Sequence, residues 1–177
     1  AHKILSILTK HALHYDIDEK SVDERTSTAP TTDLTGTEFV LEKIEKAVAL
    51  NKPLNFNLVG FPYKSFNTKR KVRVAKADAA EQHSLCYLNQ MFKEISALHT
   101  KPVTLLIFTD GLIFCDIEGV SDADVLAYEE DLKQLSANLP HIKIVTLQDI
   151  LPHKTPQEMR EYIGEIPPKE QDFQEKL

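Results

Sequence analysis

The sequence has no tryptophan, two cysteines, two methionines and five glycines among its 177 residues. Two cysteines, Cys86 and Cys115, fit neither the disulfide framework of a small secreted domain nor a zinc-ligand spacing. Both read as buried apolar filler in a reducing compartment, so a cytoplasmic protein is expected. Apolar runs are short as well; none approaches the roughly 20 residues needed to cross a bilayer. The amino-terminal stretch Ala1–Leu5 starts basic, but its apolar run is short and is broken by His11 and His14, so it does not read as a secretory signal. A glycine-rich dinucleotide fingerprint and a Walker lysine are both missing, which leaves no support for a nucleotide cofactor. A phosphatase-type strand end needs a second aspartate two residues after Asp110, and that position holds Leu112. His11 and His14 share a helix face without an acidic residue at matching spacing, and they read as surface histidines rather than ligands. No metal and no cofactor are expected.

One absence is local. The chain carries a net charge of -6, which argues against nucleic acid held by overall charge. Yet from Phe61 to Ala77 there is no acidic residue, while Lys64, Lys69, Arg70, Lys71, Arg73 and Lys76 are all basic. A basic loop inside an acidic protein suits a small anion better than a long polyanion.

What is present is regular. Hydrophobic residues make up 42% of the chain, enough for a compact core. Residues 3–14 place Ile4, Leu5, Ile7, Leu8 and Leu13 as a short amphipathic helix does. Residues 16–33 are rich in Thr, Ser and acids and read as a mobile loop. Thr35-Gly36-Thr37-Glu38 has capping-box spacing and predicts a helix burying Phe39, Ile44 and Val48, ended by Pro53. Leu54–Val59 alternates as a strand, stopped by Gly60 and Pro62. Asp78-Ala79-Ala80-Glu81 is a second capping box, opening a helix with Leu85, Leu88, Phe92, Ile95 and Leu98 on one side. Val103–Phe108 is a continuous apolar run, the mark of a central strand buried on both faces. Leu112–Cys115 is expected to extend that strand or form another. Ser121–Asp124 caps a helix carrying Val125, Leu126, Tyr128, Leu132 and Leu135. Ile142–Thr146 is a third strand. Thr155-Pro156-Gln157-Glu158 begins a last helix.

Strands alternating with helices predict an α/β fold: a single three-layer, Rossmann-like domain with a mainly parallel sheet and helices on both faces. The domain is expected to span residues 1–164, with an amino-terminal helix and loop over 1–36, a core over 37–164 and a polar tail over 165–177. Ligands of such sheets bind beyond the carboxyl ends of the strands. Two loops meet that condition, Gly60–Ala77 and Thr109-Asp110-Gly111 with Asp116 close behind. Lys64, Ser65 and Asn67 offer the ammonium, hydroxyl and amide groups that satisfy phosphate oxygens. Asp78 opposes an anion at the next helix tip, so the ligand belongs on the Lys64–Asn67 segment. Each site has a plainer reading: charge runs are usually solvated surface, and Asp-Gly is a common turn pair.

Four collinear segments resemble the pyoverdine/dityrosine biosynthesis family, which includes the isocyanide (isonitrile) synthases. They are Phe61-Pro62-Tyr63-Lys64-Ser65-Phe66-Asn67 with Lys71-Val72; Ala77-Asp78-Ala79-Ala80-Glu81; Thr109-Asp110-Gly111-Leu112-Ile113-Phe114-Cys115-Asp116; and Gly119-Val120-Ser121-Asp122 with Tyr128. Phe66 and Ala77 stand where the family has proline. The resemblance implies an α/β enzyme converting the amino group of tyrosine or tryptophan into an isonitrile. Ribulose 5-phosphate supplies the carbon, and an iron- and 2-oxoglutarate-dependent oxygenase acts next. It further implies that Lys64, Ser65, Asn67 and Lys71 bind the sugar phosphate. Asp110 and Asp116 then hold hydroxyls or shuttle protons, with Glu81 positioning them. The resemblance also implies a longer chain whose second half helps bind the amino acid. The alternatives are a shortened, noncatalytic phosphosugar-binding module and an interaction domain whose basic loop docks an acidic protein.

Overall fold

The computed structural model describes residues 1–11, 36–63 and 76–165. In chain order the elements are α1 (His2–His11), α2 (Thr37–Ala49), β1 (Leu54–Val59), α3 (Ala79–Ser96), β2 (Val103–Phe108), α4 (Gly111–Glu118), α5 (Asp122–Ser136), β3 (Ile142–Val145), α6 (Leu147–Ile150) and α7 (Pro156–Glu165). The strands form one open sheet in the order β1-β2-β3. Its register is parallel. Leu54 N–H bonds the Pro102 carbonyl and Gly60 N–H the Phe108 carbonyl, so both strands advance together; Leu105 to His141 and Thr109 to Val145 repeat the pattern. The α/β class read from the sequence is the fold observed.

The chain gathers into two compact units. The first comprises Ala1–Phe56, His83–Leu105 and Asn138–Lys143. Its core is Ile4, Ile44, Leu54, Leu85, Met91, Phe92, Ile95, Val103, Leu105 and Ile142. Phe56 meets Phe92 edge-on at 5.2 Å between centroids. Each fully buried Phe or Leu contributes about 1.5–3 kcal/mol of transfer free energy. Polar groups at the amino-terminal ends of the strands are satisfied locally. His141 N–H donates to Asn89 Oδ1, and the His141 ring bonds the Val103 carbonyl. Helix α2 stops where Asn51 enters the left-handed region at φ 49, which Asn tolerates better than most residues; Pro53 follows.

The second unit comprises Asn57–Gln82, Leu106–Ala137 and Ile144–Leu177. Leu112, Cys115, Val120, Val125 and Met159 form its core, with Tyr63, Leu126, Leu147 and Leu151 packed against them. Three of its helices begin with satisfied caps. Ser121 accepts from Asp124 N–H, Thr146 and Asp149 make a full capping box, and so do Thr155 and Glu158.

Several expectations are corrected. Leu112–Cys115 is neither a strand extension nor a new strand but the first half of α4. Burying Leu112 and Cys115, three residues apart, overrides the strand preference of Ile113 and Phe114. Helix α2 buries Ile44 alone of the three residues expected; Phe39 is 62% exposed and Val48 is exposed. Its N-cap is Gly36 in the left-handed region, one residue later than expected; Thr35, the anticipated cap, lies outside the described residues. Leu98 and Cys86 are exposed, whereas Cys115 is buried as expected. The third strand stops at Val145 because Thr146 caps the unforeseen α6. His11 is not a free surface histidine: its Nδ1 lies 2.6 Å from the Tyr87 hydroxyl, ring edge to ring face. His14, the expected loop over 16–33 and residues 166–177 of the expected tail lie outside the described residues, while Glu165, the first residue of that tail, ends α7. No helix among the described residues is long and apolar enough to cross a membrane.

Candidate active site

The carboxyl ends of the three strands lie in the second unit, so the groups just past them share one region of chain. After β1 the backbone turns sharply. Phe61 adopts φ 57, a left-handed conformation costing a bulky residue about 1–2 kcal/mol. Strain of this kind is retained where the surroundings overdetermine it, often beside functional groups. Pro62 and Tyr63 come next and lead into the basic loop.

After β2 the chain passes through Thr109 and Asp110 into α4. Asp110 is half-buried and occupies the N-cap, yet its side chain caps nothing in the helix it opens. The free amides of the first turn place a partial positive charge beside this carboxylate. Gly111 is required by space. A Cβ there would run into the Pro62 carbonyl and approach Val125 Cγ1 to 2.8 Å. The Asp-Gly pair is therefore not a simple turn signal. Gly111 lets the chain leaving β1 press against the corner that carries Asp110.

Beneath this corner lies a polar pair that motif and spacing did not single out. Thr109 is buried, and its Oγ1 donates to Oε1 of Glu129 at 2.6 Å. Glu129, on α5, is only 3% exposed. Burial pushes its carboxyl pKa up, partly offset by the Thr109 hydrogen bond and the charge of Lys133. Its Oε2 has no hydrogen-bond partner among the described residues. Lys133 ion-pairs with Asp149 at 2.8 Å and reaches the Thr146 hydroxyl at 3.4 Å. One signal in the sequence could have found it: Glu129 falls on the buried face of α5 defined by Val125, Tyr128, Leu132 and Ser136.

Glu81 is buried in the first turn of α3 and accepts the Asp78 N–H at 2.7 Å, closing the capping box foreseen from the sequence. Asp78 Oδ1 accepts the Ala80 N–H at 2.8 Å. The other Glu81 oxygen lies 3.4 Å from the Tyr128 hydroxyl, which donates to it. Tyr128 is buried, and Tyr63 stands edge-on to it at 5.5 Å. Burial, and then the Glu81 charge, push the Tyr128 phenol far above its ordinary range, so it remains a donor. Glu81 is thereby linked, through Tyr128, to the residue that starts the basic loop.

Asp116 lies elsewhere on α4. It lies six positions after Asp110, a rise of about 9 Å along the helix. It is exposed and pairs with Arg160 Nε at 3.0 Å. The same guanidinium holds Asp122 at 2.8 Å, reaches the Leu112 carbonyl at 3.3 Å and lies 3.5 Å from Cys115 Sγ. Its hydrogen bond keeps the Asp122 carboxyl below its ordinary range, while burial and Asp122 raise the Cys115 thiol. Cys115, Asp116 and Asp122 lie close enough to share a cation. Arg160 already supplies the positive charge there, so the set does not suit a metal ion. Lys64, Ser65, Asn67 and Lys71 lie outside the described residues.

Comparison with known proteins places these observations. The family model described as pyoverdine/dityrosine biosynthesis protein matches residues 44–177. L-tryptophan isonitrile synthase AmbI2 of Fischerella ambigua is 35% identical over 130 residues, covering 71% of this chain and 38% of that protein. L-tyrosine isonitrile synthase of Pseudomonas aeruginosa is 27% identical over 128 residues, covering 71% and 39%. The crystal structure of PvcA from Pseudomonas aeruginosa superposes with a TM-score of 0.75 at 22% identity, covering 98% of this chain and 56% of that one. That likeness establishes the fold. The chain spans well under half the length of these two curated relatives.

Proposed function

The chain belongs to the pyoverdine/dityrosine biosynthesis protein family, and from that premise we propose that it carries the phosphosugar-binding and proton-transfer part of an isonitrile synthase acting on tyrosine or tryptophan. The observation that carries the reading is the contact of Gly111 with the Pro62 carbonyl. It brings Pro62, two residues before Lys64, against the corner that carries Asp110, which suits a reaction in which an anionic sugar must meet a carboxyl.

In this reading Lys64, Ser65 and Asn67 bind the phosphate of ribulose 5-phosphate, with Lys71 in support. A dianion so held is worth several charge-assisted hydrogen bonds. Asp110, at the helix start, holds a sugar hydroxyl or shuttles protons as the amine condenses with the ketose carbonyl and the carbon–carbon bond later breaks. Glu81 fixes the floor of the site through Tyr128, which bears on Tyr63. Asp116 is the less favoured partner for Asp110, because Arg160 already pairs with it and the α4 rise separates the two. The protein works in the cytoplasm, ahead of an iron- and 2-oxoglutarate-dependent oxygenase.

Two measurements test this. Calorimetric titration of ribulose 5-phosphate into wild type and Lys64→Ala is expected to show at least tenfold weaker binding in the variant, the loss of about 1.4 kcal/mol or more expected for a charged hydrogen bond. Equal affinities remove the phosphate assignment. Incubation with ribulose 5-phosphate and either amino acid is expected to yield an isonitrile by mass spectrometry. A second reading is a noncatalytic phosphosugar-binding module. Binding without product selects it.

A further inference from the structure

Glu129 has no part in the phosphate binding or proton transfer assigned to the other residues, yet among the described residues of the second unit it is the most deeply buried carboxyl, at 3% exposure. An acid so placed has to be compensated, and its one hydrogen bond among the described residues comes from Thr109, the residue before Asp110. Thr109 is held at two points. Its N–H donates to the Val145 carbonyl, which seats the backbone in the sheet, and its hydroxyl donates to Glu129, which fixes the side-chain rotamer. The next residue is therefore launched from a peptide plane with little freedom. Asp110 depends on that launch, because its carboxylate makes no capping bond of its own in α4.

We propose that Glu129 is a positioning residue: by accepting the Thr109 hydroxyl beneath the end of β2, it orients the Asp110 carboxyl toward the substrate. The inference rests on the reading of Asp110 as the acid–base group. The ionisable groups facing Glu129 are Lys133 on its own helix and Asp149 on α6; Thr109 and Thr146 are the neutral hydroxyls of this network. Lys133 favours the charged form of Glu129 and Asp149 opposes it, so the ion pair offsets its own influence in part while burial favours the neutral form. What the position requires is an acceptor oxygen rather than a negative charge.

Glu129→Gln keeps that oxygen and Thr109→Ser keeps the donor, whereas Glu129→Ala and Thr109→Val each remove one side of the bond. The full chain is assayed for isonitrile formation, and the Asp110 carboxyl carbon is followed by NMR, assigned through Asp110→Asn. Glu129→Ala and Thr109→Val are expected to lower kcat by about ten- to a hundredfold, the scale of a misplaced catalytic group. KM for ribulose 5-phosphate should stay within about twofold, because the phosphate seat is untouched. Glu129→Gln and Thr109→Ser restore kcat, and the Gln variant keeps the wild-type pH profile. The Asp110 resonance shifts in the first two variants and not in the second two. If wild type forms no isonitrile, the proposed function fails, and the Asp110 resonance then decides the positioning role alone. An Asp110 carboxyl that does not move in folded Thr109→Val overturns the inference, and so does a Glu129→Gln variant as damaged as Glu129→Ala.

Discussion

At the scale of single residues, two carboxyls have been pushed in opposite directions, each for a visible reason. Glu129 is buried with one neutral donor, so its folded pKa lies above the ordinary 4.5. A folded state that holds the proton more tightly than the unfolded chain loses stability as pH rises from the unfolded value through the folded one. Glu129→Gln removes that titration. Its melting temperature relative to wild type is therefore expected to climb as pH rises above about 4.5 and then level off; a difference independent of pH refutes the burial argument. Asp122 runs the other way. The Arg160 hydrogen bond lowers its pKa below the ordinary 3.8, so its contribution is present above that value and is lost as pH falls through the depressed one. Arg160→Met is expected to cost about 1–2 kcal/mol near neutral pH, because partial exposure screens the pair. Urea unfolding should show that difference shrinking in strong acid.

At the scale of elements, α4 and its corner carry the most consequence. The helix exists because Leu112 and Cys115 have a core to enter, and it aims its first turn at Asp110. Gly111→Ala would place a methyl group against the Pro62 carbonyl. We expect a loss of about 1–3 kcal/mol by chemical denaturation, together with weaker ribulose 5-phosphate binding as the exit of β1 is displaced. Wild-type stability with unchanged binding would mean that the two segments part freely. The start of α7 offers a simpler case. Thr155 both accepts the Glu158 N–H and donates to the Glu158 carboxylate. Thr155→Ala is expected to cost about 1 kcal/mol, read as a lower melting temperature with phosphosugar affinity unchanged.

At the scale of the whole molecule, a chain of net charge -6 is proposed to gather a sugar dianion at one basic loop. Binding of this kind weakens as salt screens the attraction. The ribulose 5-phosphate affinity of wild type is expected to fall steadily from low to high salt, and that of Lys64→Ala to fall less steeply. Parallel salt dependences would assign the attraction to charges other than Lys64. The family relation gives this a chemical setting: two curated relatives are isonitrile synthases for tryptophan and for tyrosine.

Periodicity and caps alone determined the alternation of strands and helices, the central place of Val103–Phe108 and the box at Asp78–Glu81, because each depends on neighbours a few residues away. The four collinear motifs likewise indicate the family without any coordinates. Only the tertiary structure decided that Leu112–Cys115 coils into a helix, that Gly111 answers to the Pro62 carbonyl, and that Glu129 is a partner of Thr109. Those outcomes depend on residues far apart in the chain finding one another in space, and local spacing carries no information about such meetings.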